Sequence, residues 1–269
     1  MLILNGRPEA TPGIRVTSFA DEPSLALSRE DFRPRTRQPS CIVLHTTKGI
    51  PALPGKPGPQ NRPQDIRPGL GAPIGAGERA ARLWAGDERS AAAHLTVDFD
   101  GHVYQHADVV TVAAYHAGPV NEVSVGIEIY QGRDAELYEG QLHAVVALVD
   151  WLTARLGIQR QMPDYYRGTA IPRLERGARD FVGVIGHRDC SSNRGAGDPG
   201  DAIFTALAAA GYERFDVSSG ADLAAWRARQ ASLGVAADGI PGPATVAALK
   251  GIGAAGGLWA LRPGAARVA

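Results

Sequence analysis

The chain has 269 residues, 44% of them hydrophobic, and its 28 basic side chains balance 28 acidic ones. Such a length accommodates one sizeable domain and a smaller one. A formal net charge of zero supplies no field for a polyanion, so we expect no nucleic-acid partner, and no apolar stretch is long enough to span a membrane. Two cysteines, Cys41 and Cys190, are too few for a disulfide framework.

The beginning of the chain has little regular pattern. Residues 1–37 are punctuated by prolines and show no clean period, which predicts an irregular arm packed on the main domain. Its apolar run is too short for a signal peptide, so we expect a soluble protein. The next segment, Cys41 to Leu44, reads as a buried strand that delivers His45 at its end. Residues 49–77 are rich in proline and glycine and predict a long loop, either a wall of a site or a disordered insertion.

The middle of the chain alternates predicted strands and helices. A short helix over residues 78–84 precedes a β-hairpin, in which residues 95–99 and 102–106 flank the turn pair Asp100-Gly101. Residues 124–130 form an apolar strand interrupted by Glu128. A buried carboxylate needs a cation, hydrogen-bond donors or a wet cleft beside it, unless it simply points to solvent.

The second half of this region completes an α/β pattern. Residues 138–156 have apolar side chains at helical spacing and predict a helix over one face of the sheet, ended by Gly157. A polar loop over residues 162–180 leads to a short strand that ends before His187, and a further helix follows Asp198. We therefore predict an α/β domain with a mixed central sheet flanked by helices, over residues 38–213.

Two strand-end histidines and one aspartate suggest a metal site. His45, His187 and Asp198 are ligand types that zinc accepts, and three protein ligands leave a fourth position for water. Plainer interpretations stay open, with Asp198 as a helix cap and the histidines as loop residues. Two histidines and a carboxylate also suit a non-haem iron oxygenase.

Five blocks of sequence, in order, carry a family resemblance. They are Ile42 to Thr47, Ala93-His94 before the hairpin, Tyr115 to Gly118, Asn121 to Glu128, and Gly186 to Gly200. This set resembles the type 2, AmpD-like N-acetylmuramoyl-L-alanine amidases, which share the fold of the peptidoglycan-recognition proteins.

The resemblance implies a role for each matched position. His45, His187 and Asp198 correspond to the zinc ligands, and Glu128 corresponds to the catalytic carboxylate. His116 and Asn121 fall on blocks that line the substrate groove. The implied reaction is hydrolysis of the amide between N-acetylmuramic acid and L-alanine in peptidoglycan. The alternative is a non-catalytic protein that binds or recognises peptidoglycan.

One departure from the family concerns a cation. The family usually has a basic residue two positions before the aspartate ligand, where this chain has Ala196. Arg194, the nearest cation, is the candidate replacement as the catalytic group that stabilises the transition state, and a backbone N–H of the same loop is the alternative. If Asp198 is the ligand, Cys190 has no role at the metal. We expect Cys41 and Cys190 to be buried free thiols; the alternatives are a disulfide between them or a nucleophilic Cys190.

The C-terminal segment resembles a second kind of module. Residues 214–269 include two short helical patterns and the sequence Asp238 to Thr245, which is similar to the signature of type 1 peptidoglycan-binding modules. A generic helical appendage is the alternative. We expect a monomer that acts on peptidoglycan, and recycling in the cytoplasm, lysis as an endolysin and export without a signal all stay open.

Overall fold

The computed structural model covers most of the predicted α/β domain. It describes residues 1–47, 76–86, 91–130, 137, 139–163, 181–190, 198–215, 227–228, 230–237 and 248. Arg194 lies outside these ranges, as do most of the proline- and glycine-rich insertion and most of the predicted C-terminal module. No helix in the described ranges is both long and apolar enough to cross a membrane.

The centre of the fold is a six-stranded mixed sheet. Its strands in spatial order are β11 (Gly183–Gly186), β5 (Cys41–Thr47), β9 (Ser124–Tyr130), β6 (Leu95–Val97), β7 (Val103–Gln105) and β3 (Val16–Ser18). The hairpin partners β6 and β7 run antiparallel, and the other neighbouring pairs in this sheet are parallel. The predicted mixed sheet and the predicted hairpin are both confirmed.

Helices cover both faces of this sheet. These helices are α1 (Ala76–Gly86), α2 (Glu139–Leu156) and α3 (Asp201–Ala209). The α2 helix confirms the predicted helix over residues 138–156, and Gly157 with φ of +66° follows it. On the opposite face, Ala80 of α1 packs against Phe99 and Tyr130.

The main core fixes which way each strand faces. One face of the central strands packs with α2 and α3 in a cluster that includes Ile42, Leu44, Val125, Ile127, Val145, Leu148, Ile203 and Leu207. Burying each such side chain contributes about 1.5–3 kcal/mol. Because successive residues of a strand point to opposite faces, the burial of Leu44 turns His45 to the α1 face.

The first 37 residues are more regular than the sequence suggested. They contain the hairpin of β1 (Leu2–Leu4) with β2 (Arg7–Glu9), the sheet strand β3, and β4 (Phe32–Pro34), which pairs with β8 (Val112–Ala114). Each is three residues long, too short to show a period of two. The partners of β3 and β4 lie more than 75 residues further along the chain. These two strands therefore form by pairing with distant strands, which a local sequence pattern does not reveal.

A second difference concerns the edge of the predicted domain. The sequence predicts a loop over residues 162–180, but Gln161–Pro163 form a strand, β10. This strand pairs in parallel with β12 (Glu213–Phe215). This pairing carries the described fold slightly past residue 213, the limit that the sequence suggested.

Candidate metal centre and active site

Two neighbouring parallel strands bring two histidines together. Strands β5 and β11 pair in register, with Leu44 opposite Gly186. His45 lies within β5, and His187 opens a short 3-10 turn directly after β11. The two Nδ1 atoms are 2.8 Å apart, and the rings meet edge to face. Both side chains are buried, because the sheet lies beneath them.

Asp198 completes the cluster from the turn that precedes α3. Its Oδ2 lies 3.2 Å from His187 Nδ1, and its Oδ1 accepts a hydrogen bond from the backbone N–H of Thr46 at 2.9 Å. Its backbone carbonyl accepts from the N–H of Arg188 at 3.0 Å. The carboxylate is thus tied to β5 and to the turn after β11. One ligand atom from each of His45, His187 and Asp198 lies within 4.8 Å of the other two.

Glu128 lies beside this cluster. It is opposite His45 in the parallel pairing of β9 with β5, and its Oε1 is 3.8 Å from His45 Nδ1. Its side chain is 19% exposed. The acid that interrupts the apolar strand therefore points to the histidine face of the sheet and keeps access to solvent, where a proton can be exchanged.

His116 and Asn121 lie behind His45. The Nδ1 atom of His116 is 2.9 Å from His45 Nε2, and its Nε2 atom is 3.1 Å from the hydroxyl of Ser124. The side-chain carbonyl of Asn121 accepts hydrogen bonds from the backbone N–H groups of His116 and Ala117 at 3.1 and 2.7 Å. Burial, with neighbouring His94, His187 and Arg35, holds the pKa of His116 well below its usual value.

A buried cation, Arg35, lies beside His94 and the strand that carries Ser124. Arg35 donates to the carbonyls of Val112 and Ser124 at 3.0 and 2.8 Å, and burial lowers its pKa to about 10. Its guanidinium lies 3.1 Å from His94 Nε2. Burial and this cation lower the pKa of His94 to about 3, and His94 Nδ1 accepts from the backbone N–H of Gly126.

The two cysteines are buried free thiols. Burial raises the pKa of both, and for Cys190 the neighbouring Cys41 and Asp189 add to the rise. A thiol with a raised pKa is a poor nucleophile. The expectation of buried thiols therefore agrees with the structure. Arg194 lies among residues 191–197, outside the described residues.

Sequence reasoning missed several supporting residues. The irregular pattern of residues 1–37 gives no role to Arg35, and the strand pattern over residues 124–130 begins at Ser124 without marking its hydroxyl. The available signal was Gly126, since a glycine inside a strand marks the close approach of another group. A Cβ at this position would lie 2.5 Å from His116 Cγ, so the glycine makes room for the ring.

The cluster suits a zinc ion by its donor chemistry. Imidazole nitrogen and carboxylate oxygen are accepted zinc ligands, and two histidines with one acid match the ligand count of catalytic zinc sites. The backbone N–H of Thr46 and the ring of His116 form hydrogen bonds with two of the three candidate ligands, as outer partners of metal ligands commonly do. The residues present therefore fit the ion.

The mixed sheet of this α/β fold brings together His45, His187 and Asp198, with Glu128 on the same face. Such an arrangement is typical of hydrolytic metal centres. A family model described as N-acetylmuramoyl-L-alanine amidase matches residues 35–201. The match covers more than half of the chain and includes the whole cluster, so the chain belongs to the N-acetylmuramoyl-L-alanine amidase family. A comparison with curated protein sequences finds no match.

Several solved structures are similar to this chain. A selenomethionine AmpD derivative is 22% identical, over 77% of this chain and 99% of that one, with a TM-score of 0.41. The endolysin of the Thermus scotoductus bacteriophage Ph2119 is 16% identical, over 74% and 100%, with a TM-score of 0.42. The Drosophila peptidoglycan recognition protein SD is 15% identical, over 76% and 98%, with a TM-score of 0.46.

Proposed function

We propose that this protein is a zinc-dependent amidase that hydrolyses the bond between N-acetylmuramic acid and the L-alanine of peptidoglycan. The observation that carries the proposal is the convergence of His45, His187 and Asp198, with Glu128 on the same face, in a chain of this family. We place the enzyme in the AmpD-like branch of the family, because its third proposed ligand is an aspartate, Asp198.

His45, His187 and Asp198 would hold the zinc ion. When bound, zinc polarises the amide carbonyl and lowers the pKa of a coordinated water to about 7, which supplies a nucleophile at neutral pH. The backbone N–H of Thr46 fixes one oxygen of Asp198 and so directs the other toward the histidines. The ligand set is thereby held in place before any substrate arrives.

Glu128 would move the proton. Its carboxylate takes a proton as the water oxygen attacks the carbonyl carbon, and returns it to the departing nitrogen as the C–N bond breaks. The products are a muramic lactyl carboxylate and a peptide with a free L-alanine amino group. General acid–base catalysis of this kind contributes about 10²- to 10⁴-fold to the rate.

Further parts of the proposal concern the rest of the chain. Arg194, or a backbone N–H of its loop, would stabilise the negative charge that develops on the carbonyl oxygen. His116 and Asn121 would lie along the substrate groove. Residues 214–269 would bind the polymer as a peptidoglycan-binding module. We propose a monomer, since one chain supplies the whole cluster.

Digestion of purified sacculi tests this function. We expect the zinc-loaded protein to release stem peptides with free L-alanine amino groups, identified by mass spectrometry, to lose this activity in a chelator and to regain it with zinc. Zinc binding without hydrolysis would instead support a recognition protein. Iron as the metal retained after purification would support an oxygenase.

Replacing Glu128 with glutamine tests the proton carrier. Glutamine has nearly the same shape but cannot take a proton, so Glu128→Gln should lower kcat by about 10²- to 10⁴-fold while zinc stoichiometry and thermal unfolding stay unchanged. Release of L-alanine termini from a soluble muropeptide measures kcat. Turnover within a few-fold of the original protein would contradict the role of Glu128.

A further inference from the structure

The hydroxyl of Ser124 has a defined hydrogen-bond direction. It lies 2.7 Å from the backbone carbonyl of Val120, which can only accept, so the single hydroxyl proton is donated there. Toward His116 Nε2, 3.1 Å away, the Ser124 oxygen therefore offers a lone pair. His116 must donate, which places its N–H on Nε2.

The next contact carries this assignment to His45. A neutral imidazole with its proton on Nε2 has a lone pair on Nδ1. His116 Nδ1 lies 2.9 Å from His45 Nε2, so His45 donates across this contact and carries its own proton on Nε2. The lone pair of His45 is then on Nδ1, the atom that lies 2.8 Å from His187 Nδ1 and 3.8 Å from Glu128 Oε1.

Two further features hold the His116 ring in this position. The side-chain carbonyl of Asn121 accepts a hydrogen bond from the backbone N–H of His116 at 3.1 Å and so holds this part of the backbone. Gly126 leaves the space that the ring occupies over β9, because any Cβ there would overlap it. Both ring nitrogens of His116 contact protein atoms, so neither is directed at a bound molecule.

We propose that Ser124 and His116 form a hydrogen-bond relay that fixes the tautomer of His45 and so presents its Nδ1 atom to the metal. His116 is then a positioning residue that acts through His45. The inference rests on the proposed zinc site and gives His116 a second role, in addition to its proposed place along the substrate groove. Outer partners of metal ligands commonly contribute about 10- to 100-fold in metal affinity.

The test compares two substitutions of matched size. In His116→Leu the acceptor for His45 is lost, and we expect zinc affinity, measured by competition with a chromophoric chelator, to fall about 10- to 100-fold. In His116→Asn the side-chain oxygen can take the place of Nδ1, and we expect affinity much closer to that of the original protein. Circular dichroism checks that both variants fold.

Nitrogen NMR of the imidazole rings reads the tautomer directly. In the unaltered protein we expect the proton of His45 on Nε2, both with and without zinc, and in Ser124→Ala we expect a mixture of tautomers. A proton on Nδ1 of His45 in the unaltered protein would overturn the relay. So would unchanged zinc affinity in a folded His116→Leu variant.

These measurements need no substrate. A protein that keeps the relay but releases no L-alanine termini would contradict the amidase proposal alone. A protein that hydrolyses peptidoglycan but binds zinc equally well with leucine at position 116 would contradict the relay alone.

Discussion

At the scale of single residues, the site depends on space as much as on charge. Gly126 lies under the ring of His116, and the ring in turn contacts the proposed metal ligand His45. A glycine at position 126 is therefore linked to the proposed metal centre through the rings of His116 and His45.

Adding one methyl group tests this dependence. Gly126→Ala would place a Cβ 2.5 Å from His116 Cγ, so the ring must move away from His45. We expect about a tenfold or larger loss of zinc affinity, with a stability cost of about 1–3 kcal/mol for overpacking. Gly118→Ala is the control for a nearby glycine, since no atom would crowd its Cβ, although its φ of +51° adds some strain. Equal zinc affinity in the two variants would contradict the steric account.

At the scale of elements, a short strand pair holds the site from outside the sheet. Strand β4 pairs with β8, and Arg35 directly after β4 donates to carbonyls of β8, of β9 and of the turn before β9. These elements carry or flank His116. The arm thus braces the loop on which the relay depends.

Removing this buried cation should destabilise the fold. Arg35→Leu removes the buried cation that donates to the carbonyls of Glu122 and Ser124, and we expect the free energy of unfolding to fall by about 2–4 kcal/mol in urea titrations. Arg33→Leu is the matched control, because the Arg33 side chain in the ion pair with Glu122 is 53% exposed, and such a pair should contribute about 0–1 kcal/mol. Similar losses in both variants would contradict a special role for Arg35.

The elements also show what sequence can and cannot predict. Strands β5 and β11, the hairpin and α2 follow from local periodicity, and parallel strand ends bring His45 and His187 together. The three-residue strands of the arm have no such pattern and form only against distant partners. The relay could not be predicted either, because it depends on a turn that places Val120, Ser124 and His116 within hydrogen-bond distance.

At the scale of the whole molecule, buried neutral histidines contribute to the loss of stability in acid. Burial lowers the pKa of His94 and of His106 to about 3 from an ordinary value of 6.5. Between these values the unfolded chain binds protons that the folded chain does not. The two histidines therefore do not weaken the fold above pH 6.5, and they lower its stability progressively as the pH falls toward 3.

Urea unfolding across this range measures the effect, with a chelator present throughout. We expect the free energy of unfolding to fall by up to about 1.4 kcal/mol per pH unit for each histidine. In His106→Gln, which cannot titrate, one histidine's share of this slope should disappear. An unchanged slope in that variant would show that His106 does not contribute.

Truncation tests the division of labour between the two proposed domains. A chain ending after Phe215 keeps the pairing of β12 with β10, so the sheets and the helices α1 to α3 should be preserved. We expect unchanged turnover of a soluble muropeptide and weaker sedimentation with insoluble sacculi. Equal sedimentation of both forms would argue against a binding module in residues 214–269.

The distribution of the three proposed ligands along the chain has a consequence for synthesis. His45 emerges early from the ribosome, but His187 directly follows β11 and Asp198 precedes α3. A nascent chain that stops before Gly183 carries one ligand of three and cannot assemble the centre. The capacity to cut murein would therefore arise only late in translation, once the final strand of the sheet has docked.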